Sequence, residues 1–229
     1  MKHNLYILLL LLTIAFSGGC STIKPEVLDL AQLDHKATLH SLTADLDISF
    51  KSKKKSGSAR GMMVYKQPDL YRFVLLSPFG NTLMEAALAG NQLTLVYPSK
   101  KVAFSGDVNT LPPGVGHEAW KLLPWMFEQQ SLPGLTISQQ TTAGTTTLFY
   151  DNGLASEKKN SQGDGISYAD YAVLKGLAVA TTYEFVTSGK EWVRLRLHDP
   201  EINPELDLSV FSPNLKGLWV LPLAMLPKE

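Results

Sequence analysis

Few side chains in this 229-residue sequence stand in patterns that could carry chemistry. The one cysteine, Cys20, is a nucleophile that can be acylated or oxidised. Alone it builds neither an internal disulfide nor a thiolate metal cluster, both of which need several thiolates. His117-Glu118-Ala119-Trp120 opens like a helical zinc-protease motif, but Lys121 stands where the second histidine would be. Ser58 lies between Gly57 and Ala59, which breaks the spacing of a hydrolase nucleophile elbow, and no glycine-rich phosphate loop occurs. Asp45 and Asp47 share a strand face as a catalytic acid and base would, yet they alternate with apolar neighbours and read as a solvated outer face. His35, His40, His117 and His198 fall on different elements, and boundary or surface positions explain them better than ligation. The expectation is a protein that is not an enzyme and holds no metal.

Cys20 takes its meaning from what precedes it. Met1 to Asn4 is short and weakly basic, Leu5 to Phe16 is nearly unbroken apolar sequence, and Ser17-Gly18-Gly19 leads into the cysteine. That is the geometry of a secretory signal, too short to stay in a bilayer as a spanning helix. Small residues running into a cysteine resemble the lipobox of bacterial lipoproteins, although Ser17 stands where that motif usually has Leu. The resemblance implies a removed signal peptide over 1–19, a lipid on Cys20 as the only attached group, and no other cofactor. Ser21, not Asp, follows the cysteine, which by lipoprotein sorting rules implies an outer-membrane, periplasm-facing location. An ordinary signal peptide with a leftover cysteine is the alternative.

Lys and Arg together number 21, as do Asp and Glu, so no broad basic surface is available for nucleic acid. The 45% hydrophobic content suits one domain with a good core, expected over 26–229 after a tether at 20–25. Val27 to about Leu42 carries apolar residues at helical spacing. From Ala44 the period changes to two, and strands are expected at 44–50, 58–66, 70–76, 82–89, 92–97 and 101–105, joined by tight turns. His117 to Gln130 reads as a helix that Pro124 kinks or divides. Strands resume at 135–140 and 145–150, then 166–174, 179–187, 191–198 and 205–211, with a mobile loop over 151–165. The apolar tail 215–226 is expected as a final strand or short helix. The whole is a mainly β fold with a few helices and about ten or eleven antiparallel strands.

Two modest helices cannot cover one face of so large a sheet, and incomplete covering leaves a cavity. An apolar cavity suits an alkyl chain, because each methylene leaving water is worth about 0.8 kcal/mol without directional contacts. Candidates to line it are Leu46, Ile48, Phe50, Tyr71, Phe73, Leu75, Leu93, Leu95, Trp120, Leu123 and Phe127. The alternative is that these residues are a filled core.

Two stretches, with the order of elements around them, resemble the LolA/LolB lipoprotein-trafficking family. Lys66-Gln67-Pro68-Asp69-Leu70-Tyr71-Arg72-Phe73 resembles its basic-Pro-polar-aromatic strand start. Ser77-Pro78-Phe79-Gly80-Asn81-Thr82 resembles its Pro-Leu-Gly turn, and Trp120 to Gly134 its helix with a Leu-Pro-Gly exit. The likeness covers most of 26–135 and fades beyond. It implies an unclosed barrel with helices plugging an apolar cavity that receives the acyl chains of lipoproteins. The cysteine start, and Gln67 where the soluble carrier LolA has Arg, side with the anchored receptor LolB. Phe79 then takes the place of the usual Leu at a turn, Pro78-Phe79-Gly80, that serves membrane insertion of cargo.

Implied partners are acylated lipoproteins, a LolA-like periplasmic carrier and outer-membrane lipid, with the chain a monomer. Lys51, Lys53, Lys54 and Lys55 are either a solvated hairpin tip or a contact for an acidic carrier or anionic headgroups. Two other readings stay open: a lipoprotein binding a lipid or glycolipid on the same fold, and a structural envelope scaffold.

Overall fold

The computed structural model describes residues 33–34, 36–112, 115–127, 137–141, 144–151 and 154–227. The expected signal segment and tether, Cys20, the expected helical stretch from Val27 to Gln32 and the Leu132-Pro133-Gly134 exit lie outside them. Residues 36–40 are not helical, and Ser41 and Leu42 already belong to the first strand, so the expected helix does not reach Leu42. Leu42 is fully buried there, opposite Tyr65 and Ile202, and cross-strand burial overrides its helical spacing.

Among the described residues, thirteen strands form a single open sheet. They are β1 (Ser41–Lys51), β2 (Ser56–Lys66), β3 (Leu70–Leu76), β4 (Thr82–Ala89), β5 (Gln92–Tyr97), β6 (Val102–Asp107), β7 (Ile137–Thr141), β8 (Gly144–Asp151), β9 (Leu154–Lys159), β10 (Gly165–Leu174), β11 (Leu177–Val186), β12 (Trp192–Ile202) and β13 (Trp219–Pro222). The order across the sheet is β13-β6-β5-β4-β3-β2-β1-β12-β11-β10-β9-β8-β7. Each half is thus a meander of neighbouring strands, and the two halves meet where β1 pairs with β12, Leu46 facing Leu197 and Ile48 facing Leu195. All pairs are antiparallel except β13 with β6.

The alternation read in the sequence is realised. Leu46, Met63, Tyr71, Phe73, Leu95, Val193, Leu195 and Leu197 point to one inner face and are buried. Asp45, Asp47, Arg60, Arg194 and Arg196 lie on the other face, where Asp47 meets Arg60 at 3.4 Å and His198 at 3.0 Å. Asp47 is thus half of an exposed ion pair, as a solvated outer face requires.

Helix α1 (Val115–Leu122) is followed by a 3-10 segment, Leu123–Met126, that begins where Pro124 removes a backbone donor. This segment closes the inner face. Phe127 stacks among Tyr65, Tyr71 and Tyr183 at centroid distances of 4.4, 6.3 and 5.8 Å, joining both halves of the sheet. Tyr168 donates its hydroxyl to the Trp125 carbonyl at 2.9 Å, and the Lys158 ammonium sits 4.6 Å from the Trp125 ring.

Two further expectations need correction. Residues 151–165 are not a single loop, because Leu154–Lys159 is strand β9, held between β8 and β10. Residues 205–211 are not a strand: an extended stretch ends in a 3-10 turn, Leu208–Phe211, that runs over the outer face. Its carbonyls are satisfied by side chains, Lys66 Nζ donating to Leu206 at 2.7 Å and Arg72 Nη1 to Val210 at 2.6 Å. The apolar tail does become a final strand with a short 3-10 turn after it, Leu223–Met225. The expected open, mainly antiparallel sheet is what forms, and β9 and β13 are the strands that bring it to thirteen.

Candidate functional site

Along β1 the inner-face residues change from buried to half-buried: Leu42 and Leu46 are sealed, while Ile48 and Phe50 are not. The filled core therefore gives way to a space at the end of the sheet bearing the β1–β2 turn. That space is a cavity of about 510 Å³, within the range of pockets that hold small ligands. Ile48, Phe50 and Ala59 of β1 and β2 lie at the centre of its lining, flanked by Phe73, Leu75 and Leu95 of β3 and β5 on one side and by Phe185, Val193 and Leu195 of β11 and β12 on the other. Ala119, Trp120 and Leu123 from the helical segment and Leu226 from the tail form the roof. Trp120 stands edge-on to Phe73, centroids 5.5 Å apart and planes at 77°. Among the described residues no charged side chain lines the cavity; its polar side-chain groups come from Ser58, Tyr97 and the Trp120 indole.

Of the expected lining residues, the structure brings together Ile48, Phe50, Phe73, Leu75, Leu95, Trp120 and Leu123. Leu46, Tyr71, Leu93 and Phe127 do not line the cavity, since they are buried in the packed part of the inner face. A period of two assigns a residue to a face and says nothing of how deep it lies along the strand. Leu83, Met84, Tyr97 and Leu226 were missed because they sit at strand ends or in the tail, where the periodic signal is weakest.

A second groove, of about 730 Å³, shares Ile48, Ser58, Ala59 and Leu83 with the cavity lining and is bordered by Asp47 and by the turn residues Ser77, Pro78 and Gly80. Arg60, Arg194 and Arg196 from the outer face border the same groove. Arg194 pairs with Glu184 on β11 through Nε and Nη2.

The turn between β3 and β4 is a hydrogen-bonded loop, Gly80 N–H to the Ser77 carbonyl at 2.9 Å, with Gly80 in the left-handed region at φ 80°. Phe79 at its tip is 91% exposed. An aromatic held out of the core on a glycine turn gains nothing for folding. Lys51, Lys53, Lys54 and Lys55 surround the β1–β2 turn, all exposed, and the Lys53 backbone N–H donates to Glu191 Oε1 at 2.8 Å.

Burial raises the Tyr183 pKa well above its ordinary value, with Tyr171, Tyr168 and Tyr71 adding to the shift. Among the described residues, no group of His, Cys, Asp and Glu side chains is placed to hold a metal ion, and no helix is long and apolar enough to cross a membrane.

No protein-family model matches the sequence, and no curated protein does. Solved structures resemble it at the level of the fold. A "putative outer membrane lipoprotein-sorting protein domain" from Vibrio parahaemolyticus superimposes with a TM-score of 0.53 at 12% identity, covering 80% of this chain and 92% of that one. A LolA superfamily protein from Nitrosomonas europaea gives 0.51 at 12% identity, covering 80% and 96%. A DUF1329 family protein from Desulfovibrio piger gives 0.57 at 8% identity, covering 80% and 92%. The fold of this chain, an unclosed and mainly antiparallel sheet around an apolar interior, is LolA-like.

Proposed function

We propose that the protein is a lipid-anchored acceptor of acyl chains, tethered through Cys20, that takes acylated lipoproteins from a periplasmic carrier and passes them into the outer membrane. The observation that carries this reading is the cavity: about 510 Å³ of space with largely apolar walls, opening toward the exposed Phe79 turn. An acyl chain needs only that, because its transfer from water is driven by area and not by directional contacts. The arginine-bordered groove outside the cavity offers hydrogen-bond donors to the ester and peptide groups that follow the acyl chains of a lipoprotein.

No covalent step is involved. Transfer in one direction requires that acyl chains bind here more tightly than on the carrier, and that contact with the bilayer then lowers that affinity. Phe79 serves the second step by entering the bilayer beside the opening. LolB-like receptor activity fits the cysteine start and this turn together.

A lipoprotein that binds free lipid or glycolipid would use the same cavity, and nothing in the described lining selects a protein-linked chain over a free one. A scaffold with a filled core would leave no such space. A photo-crosslinking phenylalanine analogue at Phe50, irradiated in living cells, separates these readings. Captured lipoproteins and a soluble carrier support the proposal. Free lipid alone moves the assignment to lipid binding, and an empty cavity in a folded protein overturns both.

A further inference from the structure

The chain is neutral overall, but its charges are divided between the two ends of the sheet. Strand direction alternates, so the turns after β1, β3, β5, β9 and β11 all lie at the end where the cavity opens. Those turns carry Lys53, Lys54, Lys55, Lys100, Lys101 and Lys190, against Asp164 and Glu191. The opposite end carries Asp69, Asp107, Asp199, Glu201, Glu205 and Asp207, against Lys36, Lys66 and Lys175.

A second exposed aromatic stands at the basic end. Because β13 runs parallel to β6, its first residue, Trp219, lies at the start of β6, and its N–H donates to the Lys101 carbonyl at 3.0 Å. Trp219 is 77% exposed. Phe79 leads into β4 and Trp219 begins β13, three strand spacings or about 14 Å apart along the sheet. The cavity residues Leu83, Met84 and Tyr97 occupy the strand ends between them. Exposed tryptophan beside lysines is the arrangement that seats a protein at a bilayer interface, the ring at headgroup depth and the ammonium groups on lipid phosphates.

We propose that Trp219, with the lysines of the β1–β2 and β5–β6 turns, is a second membrane contact that docks the cavity opening onto an anionic lipid surface. The inference deepens the acyl-transfer reading and rests on it for its purpose. Two contacts about 14 Å apart along the sheet at this end fix its orientation, whereas Phe79 alone would leave the molecule free to tilt. A lipid on Cys20 permits this pose. The stretch from Cys20 to Leu33 spans at most about 45 Å when extended, while the 11-residue β1 is about 37 Å long. An anchor that joins the fold at the acidic end therefore lets the basic end face the same bilayer.

The test uses the acylated protein in vesicles of phosphatidylethanolamine and phosphatidylglycerol, with tryptophan quenching by lipids brominated near the headgroup. Wild-type protein should be quenched, and Trp219→Phe should lose roughly half or more of that quenching. Neutral vesicles, about 1 M salt, where screening acts over roughly 3 Å, and the combined Lys53→Glu, Lys54→Glu and Lys55→Glu variant should each reduce it as far. Equal quenching of wild type and Trp219→Phe overturns the proposal, as does insensitivity to salt and to lipid charge. Unchanged quenching combined with slower delivery from a carrier overturns it in favour of a protein-docking face. Quenching by deep-brominated lipid that persists in Trp219→Phe and is lost in Trp120→Phe reports lipid in the cavity, so failure of the docking surface is distinguishable from failure of the cavity reading.

Discussion

Trp120 on α1 and Phe73 on β3 meet edge to face with centroids 5.5 Å apart, and the same two rings line the cavity. Helix and sheet are thus held together by the groups that a ligand would touch. Removing either ring should weaken the fold as well as reshape the site. Phe73→Ala is expected to cost about 3 kcal/mol, read as a lower urea midpoint. An unchanged midpoint would show that the helix is held elsewhere.

Filling the space separates ligand binding from stability more cleanly than emptying it. Ala119 faces the cavity from the helix, so Ala119→Trp should reduce uptake of a fluorescent fatty acid at least about tenfold while costing no more than roughly 1–3 kcal/mol of stability. Undiminished uptake would place the lipid elsewhere.

Phe79 contributes exposure and little packing. Phe79→Ala should leave stability within about 0.5 kcal/mol of wild type. Phe79→Glu should still accept acylated cargo yet fail to deliver it to vesicles, because a carboxylate does not enter hydrocarbon. Normal delivery by Phe79→Glu would remove the turn from the mechanism.

The buried tyrosines make a prediction at alkaline pH. The folded-state pKa of Tyr183 is raised by burial, and that of Tyr65 by burial and the charge of Asp69. A group that holds its proton more tightly when folded stabilises the fold below its unfolded pKa of 10.0, and that contribution is lost as pH rises beyond it. Urea midpoints should therefore fall steeply above about pH 10, and less steeply in Tyr183→Phe. Parallel curves would refute the assignment.

Gly61 is a position where the sheet admits no side chain. A Cβ there would stand 2.0 Å from the Val74 carbonyl oxygen, which is backbone and cannot turn aside. Gly61→Ala should destabilise by about 3 kcal/mol or more, whereas Gly80→Ala meets no atom and is strained only by its positive φ of 80°. Equal midpoints for the two variants would contradict this.

Much of the fold was legible because one face of the sheet is apolar. Ala44 to Phe50 and Trp192 to Leu197 alternate, and both became strands facing as the alternation requires. Leu154 to Lys159 was hidden by its Ser, Glu and Lys content, since it is held by pairing with β8 and β10 and not by an apolar stripe. Leu206, Leu208 and Val210 alternate like a strand, yet their segment crosses the outer face, where Lys66 and Arg72 take the place of a neighbouring strand. At the site, Phe79 was visible as an aromatic beside a turn glycine. Trp219 was not, because only the parallel pairing of β13 with β6 brings it to the cavity opening.

The pairing of β1 with β12 also bears on the order in which the molecule assembles. Every other antiparallel neighbour pair is a short-range hairpin, whereas Leu46 and Leu197 come together across most of the chain. Closing so long a loop costs more entropy than closing any of the hairpins, and non-local pairings are the slow ones. Two meanders can form early and independently, with the join between them made late. Until then the inner strands β1 and β12 each present an unpaired edge. The chain is therefore most prone to edge-to-edge association during that interval, and substitutions at the join should lower the yield of folded protein before they alter what the finished molecule binds.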